Sequence, residues 1–236
     1  MSEEKDFDIN NIKAPEFCDK CNFAKRPDCC EIAAEYAAKY KKARIEEESY
    51  SLGGMRAYTD FTADSFDIKA QPQTLRKKYG QALEACNEFK WNRDNIMLWG
   101  PSGAGKTHLL TVALRNARPH ERKVVKGYEL ADALFAAKKD DGKVPFRNAK
   151  ALLLDDISKC TVAEKYMDSL SRELWRFFDY WDIEGKTGLL ISSNMDLNQL
   201  SVQWQDDSIA SRMASICTVF GFRDAEDIRL KQRGNK

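Results

Sequence analysis

Little in this chain pulls in one direction. Its 38 basic and 37 acidic residues leave a formal net charge of +1. Bulk charge therefore argues for no particular partner, and any nucleic-acid contact must come from local patches. No apolar run approaches the roughly 20 residues that a membrane span needs. The N-terminus, Met-Ser-Glu-Glu-Lys-Asp, is acidic and lacks the apolar core of a secretory signal, so a cytoplasmic protein is expected. There is no internal repeat and no low-complexity segment. What remains is 236 residues with 43% apolar and 32% charged content. That is enough for one α/β domain of ordinary size plus a small appendage.

Seven cysteines are present. Cys86, Cys160 and Cys217 are scattered and read as small core residues. Cys18, Cys21, Cys29 and Cys30 cluster near the N-terminus, and without a secretory signal a disulfide framework is not the expected use. A C-x-x-C pair followed by an adjacent pair can offer four thiolates to one tetrahedral zinc ion. A short segment without its own core gains most from such a metal. Iron–sulfur ligation, a three-ligand site and no metal at all stay open. Behind the cluster, Ala33, Tyr36, Ala37 and Tyr40 repeat at helical spacing over 31–49, and Ser51-Leu-Gly-Gly54 breaks the pattern. A boundary there divides an appendage (1–50) from a larger domain (51–236).

In the larger domain, short apolar runs alternate with helical patterns. Strands are expected at 95–99, 124–125, 151–154, 188–191 and 217–220. Helices are expected at 72–89, from the end of the glycine-rich turn to 117, at 129–138, and at 208–215. Thr161-Val-Ala-Glu164 has the form of a capping box opening a long helix to Trp181. Continuous apolar strands between helices predict a parallel sheet covered on both faces.

The turn itself is Gly100-Pro101-Ser102-Gly103-Ala104-Gly105-Lys106-Thr107, with His108 next, a P-loop pattern between an expected strand and an expected helix. Glycines let successive backbone N–H groups face phosphate oxygens, and the helix N-terminus adds positive potential. Lys106 would reach the β- and γ-phosphates of ATP, and Thr107 would hold Mg²⁺. Downstream, Leu152-Leu-Leu-Asp155-Asp156 ends a strand in carboxylates, where open α/β sheets place their ligands. Asp155 would hold Mg²⁺, and Asp156 would polarise the attacking water. Asn194 closes the next strand; it can contact the γ-phosphate or water, or simply cap the following helix. The aromatics of 162–181 could stack on bases, but Leu170, Leu174, Phe177, Phe178 and Trp181 form one stripe, which favours core packing. Arg118, Arg122, Lys123, Lys126, Lys138, Lys139 and Lys143 could line a DNA path or be solvated charge.

Several segments together resemble the DnaC/DnaI-type helicase loaders of the AAA+ ATPases. They are the P-loop, Leu-Asp-Asp, Ser192-Ser-Asn-Met-Asp-Leu-Asn-Gln-Leu200, Ile209-Ala-Ser-Arg212-Met and Gly221-Phe-Arg-Asp-Ala-Glu-Asp-Ile-Arg229. The resemblance spans roughly 50–230. It implies an AAA+ core with a five-stranded parallel sheet, no C-terminal helical lid, and an N-terminal part that binds a DnaB-type replicative helicase. It further implies self-association and help in loading that helicase onto single-stranded DNA. Arg212 matches the arginine finger, and Arg229, or Arg223, the second sensor. The usual Asp-Glu pair is Asp155-Asp156 here, and the shorter second carboxylate suggests slow hydrolysis. An IstB-type transposition ATPase shares these motifs, and a nucleotide-gated adaptor with little turnover is the alternative from another class.

Overall fold

The computed structural model describes residues 56–139 and 144–228. The cysteine cluster, the helix expected at 31–49 and Arg229 lie outside these residues. The described residues from Asp60 onward belong to one compact unit.

Five strands form one all-parallel sheet. They are β1 (Ile96–Trp99), β2 (Arg122–Lys126), β3 (Ala151–Asp155), β4 (Leu189–Ser193) and β5 (Thr218–Gly221). Their order is β2-β3-β4-β1-β5. Every residue of β3 and β4 is buried, as their unbroken apolar runs require of central strands. The edge strand β2 carries Arg122, Lys123 and Lys126, charges of the kind that keep a sheet edge from pairing further.

Among the described residues, six α-helices accompany the sheet. They are α1 (Arg76–Asn87), α2 (Lys106–Leu114), α3 (Gly127–Lys139), α4 (Met167–Ile183), α5 (Leu197–Trp204) and α6 (Asp207–Ile216). Helix α2 is enclosed on nearly every side, with Leu109, Leu110, Ala113 and Leu114 fully buried. The opposite core joins Met97, Leu152, Leu154, Leu189 and Ile191 from the strands to Leu134, Leu174, Phe177, Phe178, Trp181, Trp204 and Met213 from helices. These strand residues alternate, as period-two side chains on one face must. Burying each large side chain contributes roughly 1.5–3 kcal/mol. The stripe Leu170, Leu174, Phe177, Phe178 and Trp181 is thus core, as its spacing predicts. Cys86, Cys160 and Cys217 are buried too, and burial pushes each thiol up to about 12.

Two local expectations need correction. The helix expected to open at Thr161 begins instead at Met167, after a 3-10 turn at Glu164–Tyr166. Buried Cys160 accepts a hydrogen bond from the Trp204 indole at 3.0 Å, which pins the chain at the point where the capping box would have started. Helix α2 ends at Leu114 rather than Ala117. Beyond it the Arg122 guanidinium donates to the carbonyls of Ala117 (2.8 Å) and Arg115 (2.9 Å). Arg115 is the residue that caps the helix, and Ala117 lies in the turn just after it, so one guanidinium fixes the chain as it leaves α2. Arg122 therefore serves the fold, not a solvent-facing path.

Candidate nucleotide site

The carboxyl ends of β1, β3 and β4 converge. Strand β1 runs in register with β4, with Trp99 opposite Ser193, and the Gly100 amide donates to the Ser193 carbonyl at 3.1 Å. The turn that follows needs glycine: φ is +76° at Gly103 and +83° at Gly105, left-handed values that a Cβ disfavours. Gly105 then caps α2 directly. Behind the loop the buried Tyr79 hydroxyl donates to the Ala104 carbonyl at 2.8 Å, and its ring stacks on Phe222 at 4.1 Å. Tyr79 and Phe222 thus back the P-loop.

Lys106, 7% exposed, donates through Nζ to the carbonyls of Gly100 and Pro101, both at 2.8 Å, and to Asn194 Oδ1 at 2.9 Å. All three acceptors are neutral oxygens. A phosphate oxygen is a better acceptor for an ammonium group, because charge-assisted bonds are about twice as strong. A phosphate oxygen could therefore replace any of these three as an acceptor.

Asn194 also donates through Nδ2 to Asp156 Oδ1 at 2.8 Å. One amide thus links the P-loop lysine to the carboxylate after β3. The cap reading of Asn194 does not hold: α5 is capped by Asp196, in a reciprocal capping box with Gln199. Asp156 sits at φ +58°, in the left-handed region that Asp tolerates better than most residues. Its amide donates to Ser192 Oγ at 2.6 Å. Its carboxylate accepts Ser158 Oγ at 2.8 Å and pairs with Lys159 at 2.7 Å. This ion pair, with its direct hydrogen bond, raises the Lys159 pKa above its ordinary value.

Asp155, 6% exposed, accepts Thr107 Oγ1 and Ser192 Oγ on Oδ1, both at 2.8 Å, and Lys126 Nζ on Oδ2 at 2.7 Å. The structure therefore joins Thr107 to Asp155, the two expected Mg²⁺ residues. Among the described residues there is no cluster of three or more His, Cys, Asp or Glu side chains suited to a metal. The chain's own contribution to a cation here is a hydroxyl and a carboxylate, which suits Mg²⁺ held largely by nucleotide oxygens and water.

Other expected site residues lie elsewhere. The His108 ring stacks on Phe61 at 4.5 Å and meets Phe66 edge-on at 5.1 Å. Its Nε2 lies 2.8 Å from the Thr62 carbonyl. Burial, more than any charge, lowers its pKa, with Arg115 adding to the effect and the Thr62 bond opposing it. A neutral His108 thus donates to Thr62 and is committed to residues 61–66, away from the Lys106–Asn194–Asp156 group. Arg212 on α6 donates to Asp179 Oδ1 through Nε (3.0 Å) and a terminal nitrogen (2.6 Å), and lies 4.8 Å from the Trp175 ring centre. Arg223 lies 5.7 Å from the Trp99 ring centre and reaches Asp196 at 3.4 Å, which puts it beside the strand that leads into the P-loop.

Ser192 and Lys126 were not anticipated as site residues. Ser192 stands two positions before Asn194, so its place at the strand end was readable. Lys126 ends a strand whose partner ends in Asp155, a register that the sequence does not display.

A P-loop pattern after β1, carboxylates after β3 and an asparagine after β4, in the strand order β2-β3-β4-β1-β5, give the chain the fold of the AAA+ P-loop class. The chain matches the family model of the IstB-like ATP binding proteins over residues 35–234, and it belongs to that family. Solved structures agree on the fold. The DnaC helicase loader superposes with a TM-score of 0.55 at 16% identity, over 72% of this chain and 100% of that one. DnaI gives 0.51 at 18% identity, over 71% and 93%. DnaA from Aquifex aeolicus bound to AMPPCP gives 0.51 at 22% identity, over 74% of this chain and 54% of that longer protein.

Proposed function

We propose that the protein is a slow, Mg²⁺-dependent ATPase that binds a DnaB-type replicative helicase and assists its loading onto single-stranded DNA. The observation that carries the ATPase half is the Asn194 amide, which joins Lys106 to Asp156 in one network at the mouth of the P-loop. In this reading the loop amides and Lys106 bind the phosphates, and Thr107 and Asp155 take Mg²⁺. Bound Mg²⁺ would neutralise phosphate charge and orient the terminal group. Asp156, with 22% of its side chain exposed, accepts a proton from water. Asn194 sets the angle of that carboxylate and reports on Lys106. Slow turnover follows, because Asp156 is tied to Lys159, Ser158 and Asn194 and must give up part of that pairing to serve as base.

The loader half rests on the sequence resemblance and on the similarity of fold. The N-terminal appendage, 1–50, is assigned to the helicase, with Cys18, Cys21, Cys29 and Cys30 holding zinc. Elemental analysis of purified protein should then find about one zinc per chain, and neither zinc nor iron would reject the site. Arg212 is assigned as the finger that completes a neighbouring copy's site. A second reading, an IstB-type transposition ATPase, is favoured by the family match itself. Full-length protein on a surface, challenged separately with a DnaB-type helicase and with a transposase, separates the two. Saturable, nucleotide-dependent binding to the helicase alone supports the loader. Binding to the transposase alone overturns it.

A further inference from the structure

Asp155 is the carboxylate assigned to Mg²⁺, yet the chain supplies a cation of its own to it. Lys126 Nζ stands 2.7 Å from Asp155 Oδ2, with only 18% and 9% of the two side chains exposed. The pairing is built into the backbone. Strands β2 and β3 run in parallel register, with Lys126 directly opposite Asp155. The Lys126 amide donates to Glu129 Oε2 at 3.0 Å, which ties the end of β2 to the first turn of α3. The next residue, Gly127, packs so tightly under the Asp156 carbonyl that a Cβ would come within 2.1 Å of it. Neither backbone can slide relative to the other without breaking these contacts. Oδ1 meanwhile takes hydroxyl protons from Thr107 and Ser192. Oδ2 is thus the oxygen held by a positive charge, and a hard divalent cation approaching Asp155 meets an ammonium group already there.

Building on the nucleotide site proposed above, we infer that Lys126 is an internal competitor of Mg²⁺ at Asp155. It holds the carboxylate in place while the divalent ion is absent. It raises the Mg²⁺ concentration at which the ion takes hold. Lysine suits this because its ammonium is a compact charge on a flexible stem and can swing aside, where a guanidinium forked onto the carboxylate would not release as readily. An edge strand that only needed protection from pairing would be served equally well by a lysine facing solvent, whereas this one turns its charge into the site.

The test uses full-length protein and the fluorescent nucleotide mant-ADP, titrated over a range of Mg²⁺ concentrations. In Lys126→Gln, the Mg²⁺ concentration giving half of the full change in nucleotide affinity should fall about tenfold, the size expected on freeing one charge-assisted hydrogen bond. Lys126→Arg should stay at or above the wild-type value. An unchanged or raised Mg²⁺ requirement in Lys126→Gln overturns the inference. If the wild type binds mant-ADP at no Mg²⁺ concentration, the nucleotide-site reading fails and this inference with it. If Lys126→Gln does not fold, as judged by circular dichroism, acetylation of the native chain decides. Mapped by mass spectrometry, modification of Lys126 in the presence of ADP should speed up when Mg²⁺ is added, and no change would reject displacement.

Discussion

Asn194 holds Asp156 and Lys106 with the two ends of one amide, at 2.8 Å and 2.9 Å. The amide cannot be replaced by a carboxylate without setting two like charges side by side, nor by a hydrocarbon without leaving both partners short of a bond. Asn194→Ala should therefore retain ATP binding within a few-fold and lose turnover by about 10²-fold, the loss typical of one positioned polar group. Steady-state kinetics together with calorimetry read the two effects separately. Equal losses of affinity and turnover would assign Asn194 to ground-state binding alone.

Lys106 and Asp156 should divide along the same line. Lys106→Ala removes the buried ammonium that faces three oxygens of the loop and of Asn194, and nucleotide binding should be lost. Asp156→Asn keeps the side-chain volume and should keep binding, while turnover falls by roughly 10²–10⁴, the usual span for removing a general base. Unchanged ATP affinity in Lys106→Ala, by titration calorimetry, would sink the phosphate assignment.

Much of this site was legible in the sequence, for an identifiable reason. The P-loop, the Leu-Asp-Asp strand end and Asn194 are each short contiguous patterns, and their chemistry depends on local spacing. The strands were legible too, because buried parallel strands are written as unbroken apolar runs such as Ala151–Leu154. What could not be read depends on contacts between distant positions. Lys126 meets Asp155 only because β2 lies next to β3, whereas the sequence offers it only as part of a DNA path or as solvated charge. The helix read from Thr161 starts only at Met167, after a 3-10 turn, while the Trp204 indole reaches across to the Cys160 carbonyl. His108 follows the P-loop in sequence but turns to Phe61, Thr62 and Phe66, which only tertiary packing decides.

The position of Gly127 supplies a packing test. A Cβ there would stand 2.1 Å from the Asp156 carbonyl oxygen, so Gly127→Ala must push the Asp156 loop away. Stability should fall by about 1–3 kcal/mol, as for other overpacked sites. Turnover should fall as well, because the loop carries the proposed base. Urea unfolding and an ATPase assay on one preparation test both. A variant of native stability and native rate would show that the loop tolerates displacement.

His108 gives the fold a dependence on pH. Burial lowers its pKa beneath the ordinary 6.5, so the unfolded chain binds this proton more readily than the folded one. Its contribution to stability is complete above about 6.5 and is lost as pH falls through that value toward the lower folded pKa. Thermal melts from pH 7.5 down to 5.5 should show a declining midpoint, and His108→Phe should flatten the decline. Parallel slopes in the two proteins would mean that other groups carry the effect.

The last prediction concerns the reach of Arg212. Asp179 and the face of Trp175 hold its guanidinium, and 27% of its side chain is exposed. It is a cation fixed in direction, at the surface of a helix pair rather than in the nucleotide site of its own chain. A charge placed this way suits a neighbour's γ-phosphate, where a finger is worth roughly 10³–10⁵ in rate. Arg212→Ala should bind ATP nearly as the wild type does and hydrolyse it poorly. Lys106→Ala should fail at binding but keep its finger. Neither variant alone owns both halves of a shared site, yet a mixture creates interfaces where an intact P-loop meets an intact arginine. Activity in mixtures should therefore exceed the sum of the two variants and peak at intermediate ratios. Asp179→Asn supplies a control, since it weakens the grip on Arg212 without removing the charge, and it should fall between wild type and Arg212→Ala. If co-assembly is demonstrated by size measurements and no ratio restores activity, Arg212 is a structural partner of Asp179 and Trp175. Arg223, beside Trp99, then becomes the cation to test.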